Sequence, residues 1–155
     1  MKAFCIAVSL GVVALALSPL VSANQTTKKK TFAQTLVEQT LANHPEADEI
    51  GIAVQSSRGC RTIASTDKSD IGEACEKDDI APMRSGKPYV EREKDGFDVS
   101  VPLRDAQRKI IGSLGIGLKK AEGQTRHSVV AQATTIAEEI QPLIPSKARL
   151  FEPAK

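Results

Sequence analysis

No tryptophan occurs in this chain of 155 residues, and only one tyrosine and four phenylalanines do. A core built on large aromatic rings is thereby excluded, and the interior must rest on aliphatic side chains. Cysteine is scarce as well: Cys5, Cys60 and Cys75 are all there are. None falls in a Cys-X-X-Cys or Cys-X-X-Cys-His spacing, so the usual redox and haem-attachment motifs are missing. The two histidines, His44 and His127, lie far apart and away from either later cysteine. A metal site would be short of ligands, and both rings are expected to face solvent. An excess of one charge is lacking too. Beyond the N-terminus there is no apolar run of membrane-spanning length.

The one long apolar stretch opens the chain. Lys2 precedes the uncharged run Ala3–Leu17, and Val21-Ser22-Ala23 has the small residues of a cleavage site. Residues 1–23 therefore read as a signal peptide, because the run is shorter than the roughly 20 residues of a spanning helix. The expected location is periplasmic or secreted. Cleavage after Ala23 would leave twenty basic residues against nineteen acidic ones, a balance that gives no reason to expect nucleic acid as a partner. The remainder divides into a basic spacer (24–30), one domain (31–145) and a flexible tail (146–155). In an oxidising compartment Cys60 and Cys75 have each other as intramolecular partner. A disulfide closing that loop would stabilise by about 3 kcal/mol; a free reactive thiol or an intermolecular bridge is the alternative.

Apolar spacing at Phe32, Leu36, Val37 and Leu41 predicts a helix over 31–43, capped by Thr31 and ended before Pro45. Alternation in "EIGIAVQ" (49–55) and the return "CRTIAST" predict a hairpin turning at "SSRG". A short helix is expected over 73–80 in the polar stretch that follows. Three strands come next: Tyr89–Glu93, Phe97–Leu103 and Lys109–Lys119. A C-terminal helix over 125–143 closes the order. The fold class is α+β, a five-stranded antiparallel sheet with the two long helices on one face. Glycines inside a strand mark close approach of another group, so Gly115 and Gly117 are expected to let a long helix sit close on the sheet.

The turns and strands together resemble the extracytoplasmic PAS-like Cache sensor domains, in particular the single-Cache type of bacterial citrate and C4-dicarboxylate receptors. The residues that carry the resemblance are Gly59, Ser65-Thr66, Ile71-Gly72, Gly86-Lys87-Pro88-Tyr89-Val90, Pro102-Leu103-Arg104-Asp105 and Ile111-Gly112-Ser113-Leu114. They span roughly 31–120. Carboxylate-sensing members often carry His at the Ser65-Thr66 position and Arg on the strand that here reads "DGFDVSV"; this chain has neither. The resemblance implies a PAS-like sheet with a small-molecule pocket between it and the short helices on one face.

Pocket candidates on that basis are Thr66, Met83, Arg84, Lys87, Tyr89, Arg92, Phe97 and Ser100. Arg84, Lys87 or Arg92 would suit an anionic organic ligand, and Tyr89 offers a hydroxyl. Asp67, Asp70, Asp78 and Asp79 lack EF-hand spacing and read as a solvated turn. "GSLGIG" has neither the G-X-S-X-G spacing nor the strand-to-helix setting of a nucleophile elbow, so the chain is not expected to be an enzyme, and no cofactor is implied. Its expected function is to bind a small molecule for sensing, or for presentation to a separate membrane receptor or a second copy. A scaffold with a vestigial pocket is the alternative, and a thiol-based enzyme on Cys60 or Cys75 the third reading.

Overall fold

The computed structural model describes residues 29–154; the expected leader, and the spacer up to residue 28, lie outside the described residues. Thr31 starts α1 (Phe32–Asn43) because its Oγ1 accepts the Gln34 N–H at 3.2 Å, satisfying a first-turn donor that no helical carbonyl can reach. β1 (Ala47–Ser56) turns through Ser57 and Arg58 into β2 (Gly59–Ser65), with Ser56 paired to Gly59. Gly59 takes φ 103°, which a side chain would resist. Then come α2 (Lys77–Ser85), β3 (Tyr89–Arg92), β4 (Gly96–Arg104), β5 (Ile110–Lys119) and α3 (Arg126–Ile140).

The strands form one sheet in the order β2-β1-β5-β4-β3, antiparallel at every pairing. Between β2 on one edge and β3 on the other, the chain must cross the whole sheet. Residues 66–88 make that crossing over one face and carry α2 with them. The opposite face takes α1 and α3, as expected. There Ile50, Ile52, Val99, Val101, Leu114 and Ile116 meet Leu36, Val37, Val129, Ala133 and Ile136, all buried. The core is aliphatic, as the missing aromatics require. α3 begins at a reciprocal cap: Thr125 Oγ1 accepts the Ser128 N–H at 3.1 Å, and Ser128 Oγ accepts the Thr125 N–H at 2.9 Å.

Three expectations need correction. The short helix begins at Lys77 rather than residue 73, because Asp79 Oδ2 accepts the Glu76 N–H at 3.2 Å and fixes the first turn there. It runs through Pro82, which forfeits one hydrogen bond but keeps a helical φ, and stops where Gly86 turns left-handed at φ 68°. The segment after residue 145 is no flexible tail: Leu150 is fully buried, Phe32 donates its N–H to Glu152 O at 2.7 Å, and Arg149 lies 4.5 Å over the Phe32 ring. The start of α1 has donors to satisfy, and the C-terminal segment supplies the acceptor. His44, expected in solvent, is half-buried between Glu46 (3.0 Å) and Glu139 (3.1 Å), tying the end of α1 to α3. His127 is exposed.

Candidate functional site

The sheet face beneath α2 is nearly bare of large side chains. Strand register sets this out in rows. One row runs Glu49 (β1), Gly117 (β5), Asp98 (β4), Glu91 (β3); the next runs Gly51, Gly115, Ser100, Tyr89; a third runs Ala53, Ser113, Pro102. A Cβ added at Gly115 would find only Ser100 Oγ, at 3.8 Å, and one at Gly51 would find nothing closer than 3.8 Å. Gly51 and Gly115 therefore floor an open cleft of about 550 Å³, and Gly117 makes room for the Asp48 carboxylate that lies over it; neither Gly115 nor Gly117 seats a helix. α2 roofs one end, where Ser113 Oγ donates to Asp79 Oδ1 at 3.3 Å.

The wall beside β2 is the loop 66–76. The Cys60–Cys75 disulfide, with Cα atoms 5.3 Å apart, pins it to that edge. Backbone bonds from Thr62 N–H to Glu73 O (3.1 Å) and from Cys75 N–H to Cys60 O (3.2 Å) extend the sheet by a further strand-like segment and cover its edge. Ser65 Oγ donates to Asp70 Oδ2 at 3.4 Å. The acidic loop is thus a built wall of the cleft, where its sequence suggested a solvated turn.

Among the described residues, ten carboxylates border this cleft and no lysine or arginine does: Asp48 and Glu49 of β1, Asp70 and Glu73 of the loop, Glu76, Asp78 and Asp79 at the start of α2, and Glu93, Asp95 and Asp98 around the β3–β4 turn. The whole chain has nineteen carboxylates and a net charge of +2, so composition does not impose the clustering. Its electrostatic mark is on the carboxyl groups themselves. Burial raises Asp98 to about 6, with the charges of Asp78 and Asp79 adding to it. Partial burial, then a hydrogen bond to Asp70 and the Asp70 charge, raise Glu49 to about 7. Burial and the Asp78 charge push Asp79 up as well. Glu49 is the more exposed residue, so the Asp98 shift carries the greater energetic weight. Ser100 Oγ is buried without a hydrogen-bond partner, an uncommon state for a hydroxyl.

The residues expected at a pocket are only partly brought together. Ser100 and Tyr89 are cross-strand neighbours on the cleft side of the sheet, with Lys77 Nζ 5.5 Å from the Tyr89 ring centroid. Phe97 borders the cleft but packs against the core, and Arg92 covers its ring at 5.6 Å. Thr66 Oγ1 accepts the Ile50 N–H at 3.0 Å, a structural contact. Met83 lines a second hollow of about 500 Å³ at the other end of the sheet, with Asp105, Lys109 and Lys147. Arg84, Lys87 and Arg92 are exposed, and none borders the acidic cleft. The geometry there does not suit the anionic ligand those cations suggested. Sequence reading missed Glu49, Asp70, Asp79 and Asp98. The available signal was the acidic run 67–79 together with Asp98 facing the same side as Ser100.

Among the described residues, no helix is long and apolar enough to cross a membrane. No protein-family model matches the chain, and no curated protein matches its sequence. Solved structures do match the fold. The type II free methionine-R-sulfoxide reductase of Thermoplasma acidophilum is 17% identical, with 79% of this chain and 93% of that one covered and a TM-score of 0.51. The GAF domain of a two-component sensor histidine kinase from Bacillus halodurans is 11% identical over 75% and 91%, with a TM-score of 0.51. The A. aeolicus nlh2 GAF domain in an inactive state is 14% identical over 80% and 88%, also at 0.51. The expectation that the chain is not an enzyme must be corrected: a reductase shares the scaffold, and a missing triad or elbow says nothing about chemistry of that kind. The five-stranded antiparallel α+β fold is GAF/PAS-like.

Proposed function

We propose that this chain is an exported, Cache-type member of the GAF/PAS-like group that binds a small molecule in the cleft beneath α2, for sensing or for presentation to a separate receptor or a second copy. One observation carries the reading: a cleft of about 550 Å³, floored by glycine and walled by a disulfide-pinned loop, lies between the sheet and the crossing segment. Pockets of that size are where small ligands bind. The Cache assignment is supported by the sequence resemblance, and export by the leader and the disulfide. A thermal-shift screen against amino acids, carboxylates, purines and polyamines tests it. A ligand at 100 times its dissociation constant stabilises by about 2.7 kcal/mol. Gly115→Phe, which fills the floor, is expected to abolish the shift. A folded protein with no shift from any class would favour the scaffold reading.

A second reading has its own observation: Ala74, next to Cys75, lines the cleft, so the Cys60–Cys75 pair lies just behind its wall. As reduced thiols the pair could take the oxygen of a bound sulfoxide to water, leaving a thioether and the disulfide. Incubation with free methionine sulfoxide and dithiothreitol, with Cys60→Ser as control, decides it. Methionine release that the variant lacks would establish the chemistry; equal rates would remove it.

A further inference from the structure

We propose that the cleft recognises a linear organic polycation, a diamine or polyamine, whose ammonium groups are taken by the Glu49 side and the Asp98 side of Gly117. The inference rests on the cleft being the ligand site, and names what enters it. Its first support is the row Glu49–Gly117–Asp98. Neighbouring strands lie about 4.8 Å apart, so the Cα atoms of the two acids stand about 10 Å apart, and the side chain over Gly117 between them is a third acid, Asp48. That is the scale of an alkyl diamine laid across the sheet. Each end has its own reinforcement: Asp70 adds its charge at Glu49, and Asp78 and Asp79 add theirs at Asp98.

The second support is independent of the acids. Ser100 is 1% exposed and its Oγ has no partner; it stands just behind the lining of the cleft, 3.8 Å from where a Cβ on the floor residue Gly115 would sit. A buried hydroxyl without a partner is costly, and an N–H donor lying along the floor would satisfy it.

Two features narrow the class. Among the described residues no three acids are placed to close on one metal ion, so the negative charge is spread along the cleft, as a ligand with spread positive charge requires. Quaternary ammonium ligands are held by open aromatic faces, and here Phe97, the one aromatic among the described residues bordering the cleft, has its ring covered by Arg92. Carboxylates and a free hydroxyl call for N–H donors.

Isothermal titration calorimetry on the full chain with spermidine, putrescine, butylamine, choline, succinate and calcium tests the assignment. Spermidine and putrescine are expected to bind, with butylamine and choline at least tenfold weaker, and affinity is expected to fall as salt rises. Glu49→Gln and Asp98→Asn should each weaken spermidine at least tenfold. Unfolding cannot mimic that result, because both substitutions remove a strained charge and should leave the protein as stable or more so. Binding of succinate or calcium in preference to the amines, abolished by Gly115→Phe, would overturn the polycation and keep the cleft. Spermidine binding that neither Gly115→Phe nor the acid variants diminish would overturn the proposal and take the cleft with it.

Discussion

At the residue scale, Asp98 shows what the site costs. Its folded pKa, about 6, stands above the ordinary carboxylate value of 3.8 because burial and the neighbouring acids disfavour its charge. A raised acid pKa leaves stability untouched below the unfolded value. The penalty grows as pH climbs toward the folded value and is full above it. Asp98→Asn is therefore expected to raise stability by about 1 to 2 kcal/mol at pH 8 and to change it little at pH 4, read as the urea midpoint at both values. Equal effects at both pH values would mean that packing, not charge, is responsible. Ser100 makes the complementary case: the hydroxyl was legible in "FDVSVPL" as a candidate, yet its empty environment was not. That depends on Gly115 standing opposite, and cross-strand partners are set by register, which one strand's sequence does not contain.

The elements were largely legible, because each carries its own local cause. Thr31 and Thr125 cap helices with their own hydroxyls, and period-two alternation marks β4 and β5. Misreadings came where a distant partner decides. Residues 146–154 are held by the start of α1, and the loop 66–76, whose disulfide to β2 was legible, brings its acids to strands whose register was not. That loop is the element on which the site depends most. The disulfide keeps Asp70, Glu73 and Glu76 against the open side of the glycine floor. Cys60→Ser with Cys75→Ser is expected to cost about 3 kcal/mol, measured by denaturant unfolding, and to weaken the best cleft ligand more than it weakens the fold. Loss of stability with unchanged affinity would show that backbone bonds from Thr62 and Cys75 suffice to hold the wall.

Across the whole molecule, one face of the sheet is a dry aliphatic core and the other a concentration of carboxylates, in a protein of nearly balanced charge. Composition alone could not show this, since the balance conceals where each sign goes; strand order and the crossing segment decide it. The segregation links folding to pH. Glu49, raised from 4.5 to about 7, and Asp98, raised from 3.8 to about 6, both hold protons more tightly folded than unfolded. Stability should therefore fall as pH rises from about 4 through 7 and stay low above that. Glu38 and Glu46 shift the other way, Glu38 through its hydrogen bond to Lys30 and Glu46 through its own backbone, so their contribution is lost only below about 4.5 and does not mask the window. A polycation reverses the trend. Its amines stay charged up to about pH 10 while the cleft acids ionise, so spermidine should bind more tightly at pH 8 than at pH 5.5, release protons between them, and raise the urea midpoint most at pH 8. Calorimetry in two buffers of different ionisation enthalpy reads the proton count directly. An affinity that is flat across this range, with no proton release, would mean that the acids of the cleft do not hold the ligand.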